Sequence, residues 1–284
     1  MVSPPPRELA RGIDRFFREG RKLWWSPEWE ARRRRLPACG TEISLLLTPW
    51  RAARRPGGGT PPPAGPDVGA RVIENEALWE GEGAVLTPNR YPFTEDHLLL
   101  WEKGHVREPG PEFLELLLGL CRERKDILAF VNSIGAAATV SRAHAQLART
   151  GEPPPVSRVR VHAVEQDGLE WAFPPQGGPW PGFFARLRGE PAAVARALAR
   201  LVRLRLCPAF NISVHGDSAW FFFRRKETAR RAYPLPVGAL ELSGIFLFED
   251  EASFQAMTSE KIETALGETT FPPGPAPEEA VLSL

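Results

Sequence analysis

Cysteine is scarce in this chain of 284 residues, with only Cys39, Cys121 and Cys207. They stand too far apart for a CxxC or any other zinc-ligand spacing, which argues against a disulfide framework and a cysteine-held metal. Excess charge is lacking as well. Thirty-six Lys and Arg against thirty-five Asp and Glu give a net charge of +1, so no global field draws the chain to nucleic acid or to a membrane surface. Long apolar runs are missing too: stretches such as Leu116 to Leu118 are too short to cross a bilayer, and the opening Met-Val-Ser-Pro-Pro-Pro carries no apolar targeting core. The expectation is a cytoplasmic protein with a small-molecule partner, no nucleic acid, no membrane, no metal and no cofactor.

Proline is abundant, with 30 residues, so a good part of the chain is expected in loops and extended connections. Residues 7 to 20 place Leu9, Ile13, Phe16 and Phe17 at helical spacing, which reads as a docking helix. Arg32 to Arg35 form a basic run, read as a solvated face rather than an RNA contact. From Arg54 to Pro66 the chain is Arg-Arg-Pro-Gly-Gly-Gly-Thr-Pro-Pro-Pro-Ala-Gly-Pro, which cannot hold regular hydrogen bonding and reads as a surface loop. The tryptophans, Trp24 and Trp25 among them, read as core and docking residues.

Beyond the loop, strands are expected at Ala84 to Pro88 and His97 to Trp101. An amphipathic helix follows from Pro111 to Arg124, then strands at Ile127 to Asn132 and Ser141 to Leu147. Val159, Val161 and Ala163 alternate with Arg158, Arg160 and His162, the pattern of a strand with one wet face. A helix is expected from Pro191 to Leu206, then strands at Ala209 to Val214, Ala219 to Arg224 and Ala239 to Phe248. That order echoes the first half and suggests a pseudo-duplicated α+β architecture. The segment after Phe271 reads as a loosely held tail.

Five histidines occur, at 97, 105, 144, 162 and 215. His144 follows the turn Val131-Asn-Ser-Ile-Gly-Ala-Ala-Ala-Thr-Val-Ser-Arg-Ala-His144, where small residues let backbone N–H groups approach a phosphate closely. Period two would put Arg142, His144 and Gln146 on one side of a strand and Ala143 and Ala145 on the other. A neutral imidazole is a good nucleophile toward phosphorus. The Gln146 amide can donate to a non-bridging oxygen without titrating, and Arg142 supplies fixed positive charge. His97 is expected in strand packing or a supporting hydrogen bond, while His105, His162 and His215 carry no distinguishing pattern.

Two segments resemble the histidine-triad and galactose-1-phosphate uridylyltransferase superfamily, nearest to its diadenosine tetraphosphate phosphorylase and GDP-L-galactose phosphorylase branch. One is Asn89-Arg-Tyr-Pro-Phe-Thr-Glu-Asp-His-Leu-Leu-Leu100; the other is the glycine-alanine turn ending in Ala143-His-Ala-Gln146. A weaker likeness lies in Ala209-Phe-Asn-Ile-Ser-Val214 and Trp220-Phe-Phe-Phe-Arg-Arg-Lys226, followed by Gly238-Ala-Leu-Glu-Leu-Ser-Gly244.

The resemblance implies pseudo-duplicated histidine-triad-like halves with antiparallel sheets and packed helices. The divisions are a docking segment over 1–53, a linker over 54–67, a first half over 68–150, a second half over 151–271 and a tail over 272–284. It implies a nucleotidyltransferase or phosphorylase acting on a nucleotide or nucleotide-sugar substrate and phosphate, as a monomer or homodimer. His144 is then the nucleophile and Gln146 the partner of the phosphoryl oxygens. Asn132, Gly135, Thr139 and Ser141 line the phosphate path, and Asn89 and Tyr91 lie near the nucleoside; apart from the resemblance, Arg224, Arg225 and Lys226 read equally as cations that neutralise a substrate phosphate or as the solvated end of a strand. Arg142 stands where the family has the first histidine of its motif, a zinc ligand in zinc-containing members, so no zinc is implied. The alternative reading is a nucleotide-binding protein of the same fold without turnover.

Overall fold

The computed structural model describes residues 6–20, 26, 28–53, 75–104 and 106–283. The expected 54–67 linker, Trp24, Trp25 and His105 lie outside the described residues. Helix α1, Pro6–Arg15, runs into a π-helical turn over Phe16–Gly20, and it buries Leu9, Ile13 and Phe16 as its spacing requires.

The next elements depart from the sequence reading. Strands β1, Arg32–Ala38, and β2, Thr41–Leu47, form an antiparallel hairpin. Cys39 and Gly40 at its tip both have positive φ, +55° and +72°, the two-residue turn whose twist matches paired strands. The basic run is therefore a strand, and its arginines split between faces. Arg34 Nη2 donates to the carbonyls of Phe254 and Met257, while Arg35 Nη2 reaches both oxygens of Glu152.

The rest of the chain is organised by a ten-stranded sheet. Its first part comprises β3 (Trp79–Glu80), β4 (Ala84–Pro88), β5 (His97–Glu102), helix α2 (Pro111–Glu123), β6 (Ile127–Asn132) and β7 (His144–Arg149). Its second part comprises β8 (His162–Gln166), β9 (Leu169–Phe173), β10 (Phe184–Arg188), helix α3 (Pro191–Leu204), β11 (Ala209–His215) and β12 (Ser218–Arg224). The strand order is β3-β4-β5-β7-β6-β11-β12-β10-β9-β8. Each half repeats three strands, a helix and two strands, and both arrange their five strands in the same spatial order. The copies meet back to back where β6 and β11 pair antiparallel, with Asn132 opposite Asn211 and Leu128 opposite His215.

The duplication is thus present in the fold, with β11 and β12 where they were expected and two further strands completing the second copy. Strands β9 and β10 are the counterparts of β4 and β5, and the sequence reading passed over both. Residues 155–158 form a 3-10 turn and the strand begins only at His162, because Pro154 and Pro155 pre-set φ there. The expected strand from Ala239 to Phe248 is two elements: a short helix α4, Ala239–Leu242, and strand β13, Ile245–Phe248. Ser243 and Gly244 turn the chain between them, Gly244 with φ +90°.

Helices α1, α2 and α3 cover one face of the large sheet and share one core with Ala129, Val131, Ala145, Leu147, Ile212, Val214, Phe221 and Phe223. The alternate residues of the same strands face the other way. Over the second half that face is closed by the sheet β1-β2-β13, with Leu45, Leu47, Phe246 and Phe248 packed in one cluster with Trp220, Phe222 and Phe184. Helices α5 (Glu251–Gln255) and α6 (Ser259–Thr269) complete this layer through Phe254, Ile262 and Leu266. The expected loose tail is helix α7, Pro275–Leu282, with Val281 buried, Gln166 Nε2 donating to the Leu282 carbonyl and His162 Nε2 at 2.8 Å from Glu278. Among the described residues no helix is long and apolar enough to cross a membrane.

Candidate active site

On the face of the first half turned away from α1 and α2, period two brings His144 and Gln146 of β7 into one row with Phe130 and Asn132 of β6 and His97, Leu99 and Trp101 of β5. Extending the β6–β7 register by one residue beyond Val131 and Ala145 sets Asn132 opposite His144. In the second half the same face of β12 presents Trp220 and Phe222, which pack in the core beneath the small sheet. Two strands of one design therefore carry polar groups in one copy and filler in the other.

His144 is buried, with 7% of its surface exposed, and its ring lies 5.0 Å from that of Trp101. Trp101 is itself held by its indole N–H donating to Thr87 Oγ1 at 2.9 Å. The His144 Nδ1 lies 2.8 Å from the Arg142 carbonyl oxygen. A carbonyl only accepts, so Nδ1 carries the proton and Nε2 keeps its lone pair. Burial depresses the His144 pKa, an effect opposed in part by that hydrogen bond, and the ring is neutral at neutral pH.

The Gln146 amide is oriented by the same kind of reasoning. Phe93 N–H donates to His97 Nδ1 at 3.3 Å, so the His97 proton sits on Nε2, which lies 3.0 Å from Gln146 Oε1. Gln146 accepts there, and its NH₂ is left to donate elsewhere. His97 is buried and packed against Phe93 at 4.4 Å between rings, the supporting role expected of it. Asn89 Nδ2 lies within 3.4 Å of both His97 nitrogens, and Asn89 Oδ1 accepts from the Tyr91 N–H at 2.8 Å. Tyr91 is 41% exposed. Its loop is tied to the 3-10 turn Pro49–Ala53, since Trp50 Nε1 donates to the Pro92 carbonyl at 2.8 Å and Arg51 donates to the Tyr91 carbonyl.

The connection from Asn132 to His144 is a tight, small-residue turn. Gly135 and Ala137 both have positive φ, +80° and +72°, and the Ala136 and Ala138 N–H groups return to the Ser133 carbonyl. Gly238 comes close enough that a Cβ there would lie 3.2 Å from Ala137 Cβ. The Ala137 N–H is taken by the Glu227 carboxylate at 2.9 Å. Gly135 and Thr139 are exposed. Ser141 is 3% exposed, and its hydroxyl has no hydrogen-bond partner, a cost of about 1–3 kcal/mol unless a ligand supplies one.

Two site expectations are corrected. The strand begins at His144 rather than Ser141, because Ala143 N–H donates to Val106 rather than into the ladder. Arg142 thus precedes the regular strand, and its Nε donates to the Glu102 carbonyl at 3.2 Å. Arg224, expected at a substrate phosphate, is fully buried. Its donors go to the carbonyls of Thr269, Val237, Lys226 and Glu227 and to Asn211 Oδ1, and desolvation brings its pKa down to about 10, which leaves it charged at neutral pH.

Asn211, Glu227 and Trp101 went unmarked in the sequence reading. Asn211 alone offered a signal, as an amide within the apolar run Ala209-Phe-Asn-Ile. Among the described residues no three His, Cys, Asp or Glu side chains cluster as metal ligands.

No known family profile and no curated protein matches the chain. Solved structures do match. Yeast Ap4A phosphorylase Apa2 in complex with Ap4A superposes with a TM-score of 0.69 at 16% identity, over 94% of this chain and 99% of that one. The same yeast enzyme in complex with AMP gives a TM-score of 0.66 at 15% identity, over 96% and 98%. The chain shares the fold of that phosphorylase. Within that α+β fold the duplicated antiparallel halves and the helices on one face are accounted for together, and the likeness at this identity concerns architecture alone.

Proposed function

We propose that the chain is a nucleotidyltransferase or phosphorylase acting on a nucleoside diphosphate-linked compound, a dinucleoside polyphosphate or an NDP-sugar. In the first step His144 Nε2 attacks the α-phosphorus. An N–P bond forms, the P–O bond to the leaving phosphate breaks, and the leaving group departs with the electron pair. In the second step inorganic phosphate attacks the same phosphorus, and the N–P bond returns its pair to Nε2. Asn89 and Tyr91 are the nucleoside contacts in this reading, and Asn132, Gly135, Thr139 and Ser141 meet the phosphates.

One observation carries the proposal: Nδ1 of His144 is committed to the Arg142 carbonyl, so the nucleophilic lone pair lies on Nε2. Gln146, two residues on, is held by His97 with its NH₂ free to steady a non-bridging oxygen. The unpartnered Ser141 hydroxyl supports the phosphate path, and the likeness to an enzyme solved with Ap4A and with AMP is consistent with the substrate class.

The test is intact-mass measurement after mixing the protein with Ap4A or with nucleotide sugars in the absence of phosphate. A nucleotidyl adduct that is absent in His144→Ala supports the reading, and undiminished turnover in that variant removes it.

A second reading, nucleotide binding without turnover, is favoured by Arg142, which replaces a histidine of the family motif and turns to the Glu102 carbonyl. It predicts nucleotide binding by calorimetry with no adduct and no product.

A further inference from the structure

Asn132 ends β6 opposite the position of His144, and its amide is gripped from the other half of the molecule. Its Oδ1 accepts from Asn211 Nδ2 at 2.8 Å and from the Ala239 N–H at 2.9 Å. Asn211 is fully buried, and its second amide hydrogen is spent on the Ala136 carbonyl, also at 2.8 Å. An amide looks nearly the same either way round, so something must decide which end of Asn211 faces Asn132. Arg224 decides it, since Nη1 donates to Asn211 Oδ1 at 2.7 Å and a guanidinium cannot accept. Arg224 is in turn fixed by the four carbonyls that take its other hydrogens.

We propose that Arg224 and Asn211 are positioning residues that fix the polarity of the Asn132 amide, so that its NH₂ rather than its oxygen is offered to the ligand phosphate. The relay runs Arg224 to Asn211 to Asn132, and it crosses the central β11–β6 pair from the half without a reaction centre to the half with one. It rests on the nucleotide reading above. Its chemistry is a choice of sign: an amide NH₂ attracts a phosphoryl oxygen, while an amide oxygen repels it.

Asn211→Asp tests this with little change of shape. One carboxylate oxygen keeps the bond to Arg224, and the other repels Asn132 Oδ1, so that only the Ala239 N–H still holds the Asn132 amide, against that repulsion. With AMP as the probe in calorimetry, the expected result is binding weakened about tenfold or more in Asn211→Asp. In an Asn132→Ala background the same change is expected to have less than about a twofold further effect, because the residue it acts through is gone. Thermal unfolding checks that each variant is folded. Should Asn211→Asp not fold, Arg224→Lys keeps the buried charge without the guanidinium fork and carries the same cycle. AMP binding equal to wild type in Asn211→Asp, or losses that add in the double variant, overturn the relay alone. Absence of AMP binding by the wild-type chain removes the nucleotide reading and the relay with it.

Discussion

His97 Nε2 lies 3.0 Å from Gln146 Oε1, and this contact fixes which end of the glutamine can face a substrate. The two residues stand on neighbouring strands, two residues from a direct pair, since Gln146 opposes Leu99 and His97 opposes Ala148. A diagonal pair of this kind is within reach of long side chains, and its polarity is set one residue further out by the Phe93 N–H.

His97→Phe keeps the packing against Phe93 and Phe130 but frees the glutamine to rotate. Adduct formation by His144 is expected to slow by about tenfold, the equivalent of one lost orienting hydrogen bond. Rapid-quench mass measurement checks this, and a rate equal to wild type removes the role given to His97.

Burial holds the His144 pKa below its ordinary 6.5. Only the neutral ring attacks, so the adduct-forming rate is expected to be flat from about pH 8 down to about pH 6.5 and to fall only below that. The same shift has a stability consequence. The unfolded chain takes up a proton near 6.5 while the folded chain does not, so stability is present above that value and lost as pH falls toward the folded pKa. His215, whose pKa burial also lowers, adds to the same slope. In His144→Phe the acid-side loss of stability, followed by denaturant unfolding, is expected to be shallower than in wild type.

Glu102 behaves with the opposite sign. Burial, aided by Glu112 and opposed by the Gly110 N–H, pushes its carboxyl up to about 7. The folded state therefore favours the protonated form, and the stability this gives is present below the ordinary 4.5 and lost as pH rises through about 7. Glu102→Gln removes the titration and keeps an oxygen for Gly110. The melting temperature of this variant is expected to vary less between about pH 5 and about pH 8 than that of wild type, and parallel profiles count against the assignment.

Gly244 joins α4 to β13 with φ +90°, and a Cβ there would lie 2.5 Å from Pro155 Cβ. Gly244→Ala combines backbone strain with a clash against a rigid ring, and a loss of about 1–3 kcal/mol of unfolding free energy is expected. Because α4 begins with the Ala239 N–H that holds Asn132, AMP affinity is expected to fall along with stability.

The elements around the site were legible because their signals are local. Ala84–Pro88 and Ile127–Asn132 are short apolar runs between turn residues, and α2 repeats Phe113, Leu116, Leu117 and Leu120 on one face. His144 and Gln146 were legible as a polar pair among alanines. What escaped depends on partners distant in sequence. Nothing in Arg32 to Arg35 announces a strand, since its β character comes from pairing with Thr41–Leu47 and from carbonyls more than 200 residues away. Arg224 reads as a cation ending a strand, and only the fold reveals that five acceptors surround it. The helix at Ala239–Leu242 was hidden in an apolar stretch whose periodicity over so few residues cannot separate helix from strand.

The seam between β6 and β11 gives the duplicated design a further meaning. Cutting the chain there would strip five rungs of pairing from each copy and bare an apolar edge on both. The copy that has traded imidazole for tryptophan is therefore bound to its sibling as a permanent chaperone of shape, and a single cooperative melting transition is the signature such a fused pair should leave in a calorimeter.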